Sequence, residues 1–141
     1  MQMTPYLNFS GQCEEAFTFY AQCLGGKVGT VFRYDGTPLA GQVSSDWQDK
    51  VMHGSVTVGG VEIMGADVAP LGYEAPKGFS LSLQITDTTE AERVFRELSQ
   101  DGTVVLPLEQ TFWAARFGMV VDRFGIPWLI NCEGADAPPA G

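Results

Sequence analysis

Few side chains in this chain can do chemistry, and their spacing limits what they can do together. Its one histidine, His53, belongs to the residue type that exchanges a proton near neutral pH, so at a pocket rim it would serve as acid or base. A lone histidine at a strand start is, however, more commonly a hydrogen-bonded structural residue. Glu62 becomes a general base if burial lifts its pKa, and an ordinary solvated carboxylate if it lies at an edge. Trp113, with Phe112 and Phe117, offers faces on which a flat ligand can stack, or equally the aromatic anchors of a dimer interface. Arg116 and Arg123 suit an anionic ligand, although among 17 acidic residues a structural ion pair is the commoner use. Asp122 has the chemistry of a turn opener. The spacing yields no Ser/His/Asp or Cys/His set for nucleophilic catalysis.

Two runs of elements must position these groups, and they share one order. Pro5 to Phe9 reads as a strand. Cys13, Ala16, Phe17, Tyr20 and Leu24 then recur at helical spacing and stop at Gly25-Gly26. Strand-like runs follow at 27–33, 53–58 and 61–64, the last two joined by Gly59-Gly60 as a tight hairpin. The order returns with 79–85, where Leu81, Leu83 and Ile85 alternate with Ser80, Ser82 and Gln84. A helix carrying Ala91, Val94, Phe95 and Leu98 on one face comes next, opened by Asp87 and Glu90 as a capping box. Strands at 103–106, 117–121 and 128–131 complete it. Asp122-Arg123-Phe124-Gly125 reads as the turn between the last two, and Pro127, lacking an N–H, must stand at an edge or at the first position of its strand. The pattern predicts two βαβββ modules in an α+β domain spanning 1–134, the modules at 1–65 and 79–134. A linker at 66–78 and a flexible tail at 135–141 are rich in Pro, Gly and Ala. The long connection 34–50 is a candidate lid.

Alternation along the strands predicts a second, independent set of site residues. If the helices cover Leu7, Phe9, Val56, Val58, Val61, Ile63, Leu81 and Leu83, the opposite faces carry Tyr6, Asn8, Thr57, Glu62, Met64, Ser80, Ser82, Gln84 and Asn131. That set is polar and, apart from Glu62, uncharged, which fits a pocket with a few orienting hydrogen bonds; a solvated face or a dimer interface would accept it too. The net charge of −9 argues against a nucleic-acid or anionic-membrane partner. No apolar run is long enough to span a bilayer and no signal peptide is apparent, so a cytoplasmic location is expected. Cys13, Cys23 and Cys132 lack CxxC spacing and read as reduced, buried thiols.

The motifs Tyr6-Leu7-Asn8-Phe9, Ala16-Phe17-x-Phe19-Tyr20, Leu24-Gly25-Gly26, His53-Gly54-x-Val56, Gln110-Thr111-Phe112-Trp113-Ala114 and Asp122 to Asn131 resemble the PhnB-like branch of the vicinal oxygen chelate superfamily. Glyoxalase I, bleomycin-resistance proteins and extradiol dioxygenases belong to that superfamily. The likeness spans about residues 4 to 132 and implies curved mixed sheets around an open cavity. Members of the branch have carried a 3-demethylubiquinone methyltransferase label, for which this sequence has no glycine-rich strand-to-helix loop.

In metal-dependent relatives one His, Glu or Gln ligand comes from each of four strands. The resemblance carries those positions to Thr4, to Glu62 or Met64, to Ser80 and to Leu129, of which only Glu62 is a strong ligand. The expectation is therefore a site without a metal or other cofactor. The alternative is a divalent metal held by His53, Glu62 and Glu109 in a lyase, isomerase or dioxygenase. The expected function is binding of a small organic molecule in the cleft of a homodimer. Its pocket would comprise Tyr6, Asn8, Thr57, Glu62, Met64, Ser82, Gln84, Trp113, Leu129 and Asn131.

Overall fold

The computed structural model describes residues 1–68 and 72–134. Part of the expected linker and all of the expected tail lie outside the described residues. Within the chain one compact unit ends at Glu74 and a second begins at Ala75. Each unit holds four strands and one helix. In the first, β1 (Tyr6–Phe9), α1 (Cys13–Leu24), β2 (Lys27–Arg33), β3 (Val51–Val58) and β4 (Val61–Asp67) form a sheet of order β1-β4-β3-β2. In the second, β5 (Leu81–Ile85), α2 (Thr88–Ser99), β6 (Thr103–Glu109), β7 (Arg116–Val121) and β8 (Pro127–Cys132) form β5-β8-β7-β6. Both sheets are mixed: β1 runs parallel to β4 and β5 to β8, while the other pairs are antiparallel. The helical connection sends the chain from one sheet edge to the other, and the two later strands fill the gap. This is the α+β, twice-βαβββ architecture that the sequence predicts.

Local chemistry accounts for the elements. Gly59 and Gly60 hold φ of +57° and +79°, the doubly positive pair of the tight hairpin between β3 and β4. The Asp87 carboxylate accepts from the Glu90 N–H at 3.1 Å and caps α2. Pro127 opens β8 in the sheet interior, the position where a strand loses no ladder bond it needs. The apolar stripe of each helix seals one face of its own sheet: Ala16, Phe17 and Tyr20 from α1 with Leu7, Phe9, Val56 and Ile63; Ala91, Val94, Phe95 and Leu98 from α2 with Val120, Trp128 and Ile130.

Several boundaries differ from the sequence prediction, among them the start of β3, at Val51 rather than His53. Strand β4 continues through Gly65, Ala66 and Asp67, so Ala66 and Asp67 are strand residues rather than linker. Small residues and an aspartate do not advertise a strand; β1 pairing as far as Phe9 with Asp67 extends it. Strand β6 likewise reaches Glu109 through Pro107, which an edge strand tolerates. The segment 34–50 is built from its own contacts. Tyr34 and Asp35 N–H groups donate to Lys50 and Gln48 carbonyls at 3.1 and 2.9 Å, and the Gln48 side-chain amide donates to the Ala40 and Val43 carbonyls at 2.7 and 3.1 Å. Two short 3-10 turns lie between. No helix among the described residues is long and apolar enough to cross a membrane.

Candidate functional site

Each sheet turns one face away from its helix, and strand register decides which side chains meet there. In the second unit Gln84, Asn131, Phe117 and Glu109 form one cross-strand row. Ser82, Leu129, Met119 and Leu106 form the next. Paired residues share a face, so Ser82, Gln84, Leu129 and Asn131 of the predicted pocket are brought together. A hydrogen-bonded chain runs across them. The Asn131 amide donates to Gln84 Oε1 at 2.8 Å, and the Gln84 amide donates to Ser82 Oγ at 3.0 Å. Asn131 Oδ1, shielded from solvent, has no partner.

Trp113 joins this face from the β6–β7 connection. Its ring meets Phe117 edge-on at 5.2 Å between centroids and Phe112 at 4.7 Å. A turn holds the connection in place: Thr111 N–H donates to the Ala114 carbonyl at 3.0 Å, and Thr111 Oγ1 accepts from Ala114 N–H at 3.1 Å. Phe112 is 94% exposed and Trp113 46%, so the cluster presents apolar surface to solvent. Arg116, one residue from Phe117, points the other way and pairs with Glu92 of α2 at 3.2 Å. No arginine or lysine stands in the two rows.

In the first unit the open face carries the remaining predicted residues. Tyr6, Met64 and Ser55 form one row; Lys27, Thr57 and Glu62 form another. His53 pairs with Phe32 at the far end of β3, and its Nδ1 lies 3.4 Å from the Tyr6 hydroxyl. Asn8 stands opposite Ala66. Burial is the main cause that raises the Tyr6 phenol above its ordinary pKa, with Cys13 and Tyr34 adding to it, so Tyr6 stays a neutral hydroxyl. His53 and Glu62 do not meet. Glu62 sits opposite Thr57, four residues along β3 from His53, which is about 13 Å at the usual strand rise. Phe32 and Ser55 are face residues that sequence reading missed, although alternation back from Thr57 places Ser55 and His53 beside it.

Two buried carboxylates have roles beyond those the sequence indicates, one lying in the expected linker and one expected only to open a turn. Asp67, 1% exposed, accepts from the N–H groups of Gly11 and Cys13 with Oδ1 and of Val51 with Oδ2, each at 2.9 Å. It thus caps α1 from a distant strand, where the local cap residue Gln12 makes no side-chain bond. Asp122, 3% exposed, accepts from Phe124 and Ile126 N–H at 2.9 and 3.0 Å and from the Trp128 indole at 2.8 Å. Both carboxylates are saturated by donors and hold loops in place. Burial, then Asp67 and Glu14, pushes the Cys13 thiol well above the ordinary thiol range, which leaves it a poor nucleophile.

A cavity of about 320 Å³ in the first unit, bounded by Gly11, Glu14, Arg33, Asp49, Lys50 and Asp67, contains none of the predicted pocket residues. Arg33 there is engaged by Glu14 at 2.6 Å and by the Asp49 carbonyl at 3.1 Å. The cavity is polar, without aromatic lining. No three His, Cys, Asp or Glu side chains converge as a metal-holding group among the described residues. The positions that the resemblance assigns to metal ligands carry Thr4, Glu62 or Met64, Ser80 and Leu129, and that donor set does not fit a first-row divalent ion.

A family model described as 3-demethylubiquinone-9 3-methyltransferase matches residues 1–131. Among solved structures, the chain is similar to protein PA1353 from Pseudomonas aeruginosa, with 44% identity and a TM-score of 0.85, covering 95% of this chain and 98% of that one. It is similar to a putative 3-demethylubiquinone-9 3-methyltransferase, PhnB protein, from Bacillus cereus, with 27% identity and a TM-score of 0.82 over 94% and 99% of the two chains. The fosfomycin resistance protein FosX from Listeria monocytogenes shares the fold, with a TM-score of 0.64 at 8% identity over 93% and 91%. With the repeated βαβββ topology and the motifs that carry it, the chain belongs to the family named for 3-demethylubiquinone-9 3-methyltransferase and is PhnB-like.

Proposed function

We propose that this protein binds a compact organic molecule on the open sheet face that carries Trp113, Phe117, Leu129 and Asn131, without a metal ion, as a homodimer. One observation carries it: an exposed aromatic cluster stands beside a hydrogen-bonded amide chain on a face free of cations. Apolar walls with a few orienting polar groups are what small-molecule sites use. Methyl transfer from S-adenosylmethionine is disfavoured, because the strand-to-helix connections at 10–12 and 86–87 are short and lack a glycine-rich loop. A second copy is supported by β6, an edge strand whose Val104, Val105 and Leu106 are 46%, 58% and 42% exposed; an apolar edge of that kind invites pairing.

The test combines native mass spectrometry with metal analysis of purified protein. Wild type is expected to carry a co-purifying organic mass and no stoichiometric divalent ion. Trp113→Ala is expected to lose that mass while keeping its melting temperature. A stoichiometric metal ion whose removal abolishes binding would refute the proposal.

A further inference from the structure

The unpartnered Asn131 oxygen narrows the class of ligand. A shielded acceptor without a donor is costly, and native proteins leave few of them. Here the cost is built in. The Asn131 amide nitrogen donates to Gln84 Oε1 at 2.8 Å, and the Gln84 nitrogen to Ser82 Oγ at 3.0 Å, an arrangement that leaves Asn131 Oδ1 unused. On the other side of the sheet the neighbouring Ile130 and Cys132 are fully buried. Asn131 lies on the opposite face, with Gln84 and Phe117, so a donor reaches Oδ1 from the open side. Phe117 stands directly opposite Asn131 in the register and carries Trp113 on its edge.

Charge limits the ligand further. The two rows contain Ser82, Gln84, Met119 and Leu129 beside Asn131 and Phe117, and the only ionisable member, Glu109, is acidic. Nothing there would neutralise a phosphate or carboxylate, and Arg116 is held on the helix side by Glu92. We infer that the ligand is an uncharged planar heterocycle with a ring N–H, which it donates to Asn131 Oδ1 while its face lies against Trp113 and Phe117. This rests on the ligand-binding proposal above and assigns Asn131 as the residue that selects among flat molecules, with Gln84 as its positioning residue.

Two probes of nearly equal shape isolate the hydrogen bond: benzimidazole, which has a ring N–H, and 1-methylbenzimidazole, which has none. Binding to the full-length protein at mildly alkaline pH, where both are uncharged, is measured by calorimetry and by saturation-transfer NMR. Wild type is expected to bind benzimidazole about tenfold tighter, equivalent to roughly 1.4 kcal/mol. Asn131→Leu should bind the two alike, Gln84→Leu should narrow the preference, and Trp113→Ala should weaken both. If Asn131→Leu does not fold, the wild-type comparison and Gln84→Leu decide the matter. Equal affinity of the two rings in wild type, still lost in Trp113→Ala, would overturn the donor assignment and leave the pocket standing. Failure of wild type to bind either ring would overturn the pocket and the donor assignment together.

Discussion

At the scale of single residues, Asp67 and Asp122 set the positions that the open faces depend on. An ionised carboxylate deep in a protein is costly unless its lone pairs are filled; each of these fills them with three N–H donors. Asp67 ties the start of α1, the start of β3 and the end of β4 to one point, so it holds the strand on which His53 sits. Replacing it by Asn would put an amide donor where one oxygen accepts a backbone N–H, leaving at least one buried donor unpaired. Asp67→Asn is expected to cost about 2–3 kcal/mol in urea unfolding. A loss below about 0.5 kcal/mol, the size of an ordinary surface change, would show that this junction is held by something else. The turn chemistry of Asp122 was legible from Asp122-Arg123-Phe124-Gly125. Its bond to the Trp128 indole was not, because the spacing of the two residues does not reveal which way a buried side chain points.

At the scale of elements, helix and sheet are joined where a phenylalanine meets a glycine. A Cβ on Gly118 in β7 would lie 2.8 Å from the Phe95 ring and 2.9 Å from Leu108 Cα. In the first unit, one on Gly65 in β4 would lie 2.8 Å from the Phe17 ring and 2.7 Å from the Leu7 carbonyl. The side chain is absent so that each helix can sit close on its sheet, which frees the opposite face to carry function. Gly118→Ala should therefore lower stability by about 1–3 kcal/mol through overpacking, read as a drop in the thermal midpoint. An unchanged midpoint would mean that α2 can back away without penalty. Periodicity made both helices and the hairpins legible, since 3.6-residue and two-residue repeats are direct consequences of backbone geometry. It did not reveal the far ends of β4 and β6, which are extended by pairing with β1 and β7 rather than by their own propensity.

At the scale of the whole molecule, the apolar edge of β6 bears on assembly. Wild type is expected to run as a dimer in light scattering at micromolar concentration. Val105→Lys, which charges that edge without touching the core, should shift it towards monomer; a wild-type monomer would remove the second copy from the proposed function. The sequence by itself determined the class of fold, the repeated βαβββ order and the family. All of these are written in local periods, turn residues and motifs that need no partner to be read. Only the tertiary structure decided which polar residues meet. It aligned Ser82, Gln84 and Asn131 across two strands that a helix and two further strands separate in the chain. It set Trp113 against Phe117, and it kept His53 four residues along β3 from the partner of Glu62. The reason is physical: alternation assigns a side chain to a face, but its neighbour on that face is fixed by strand order and register, which are properties of the whole sheet.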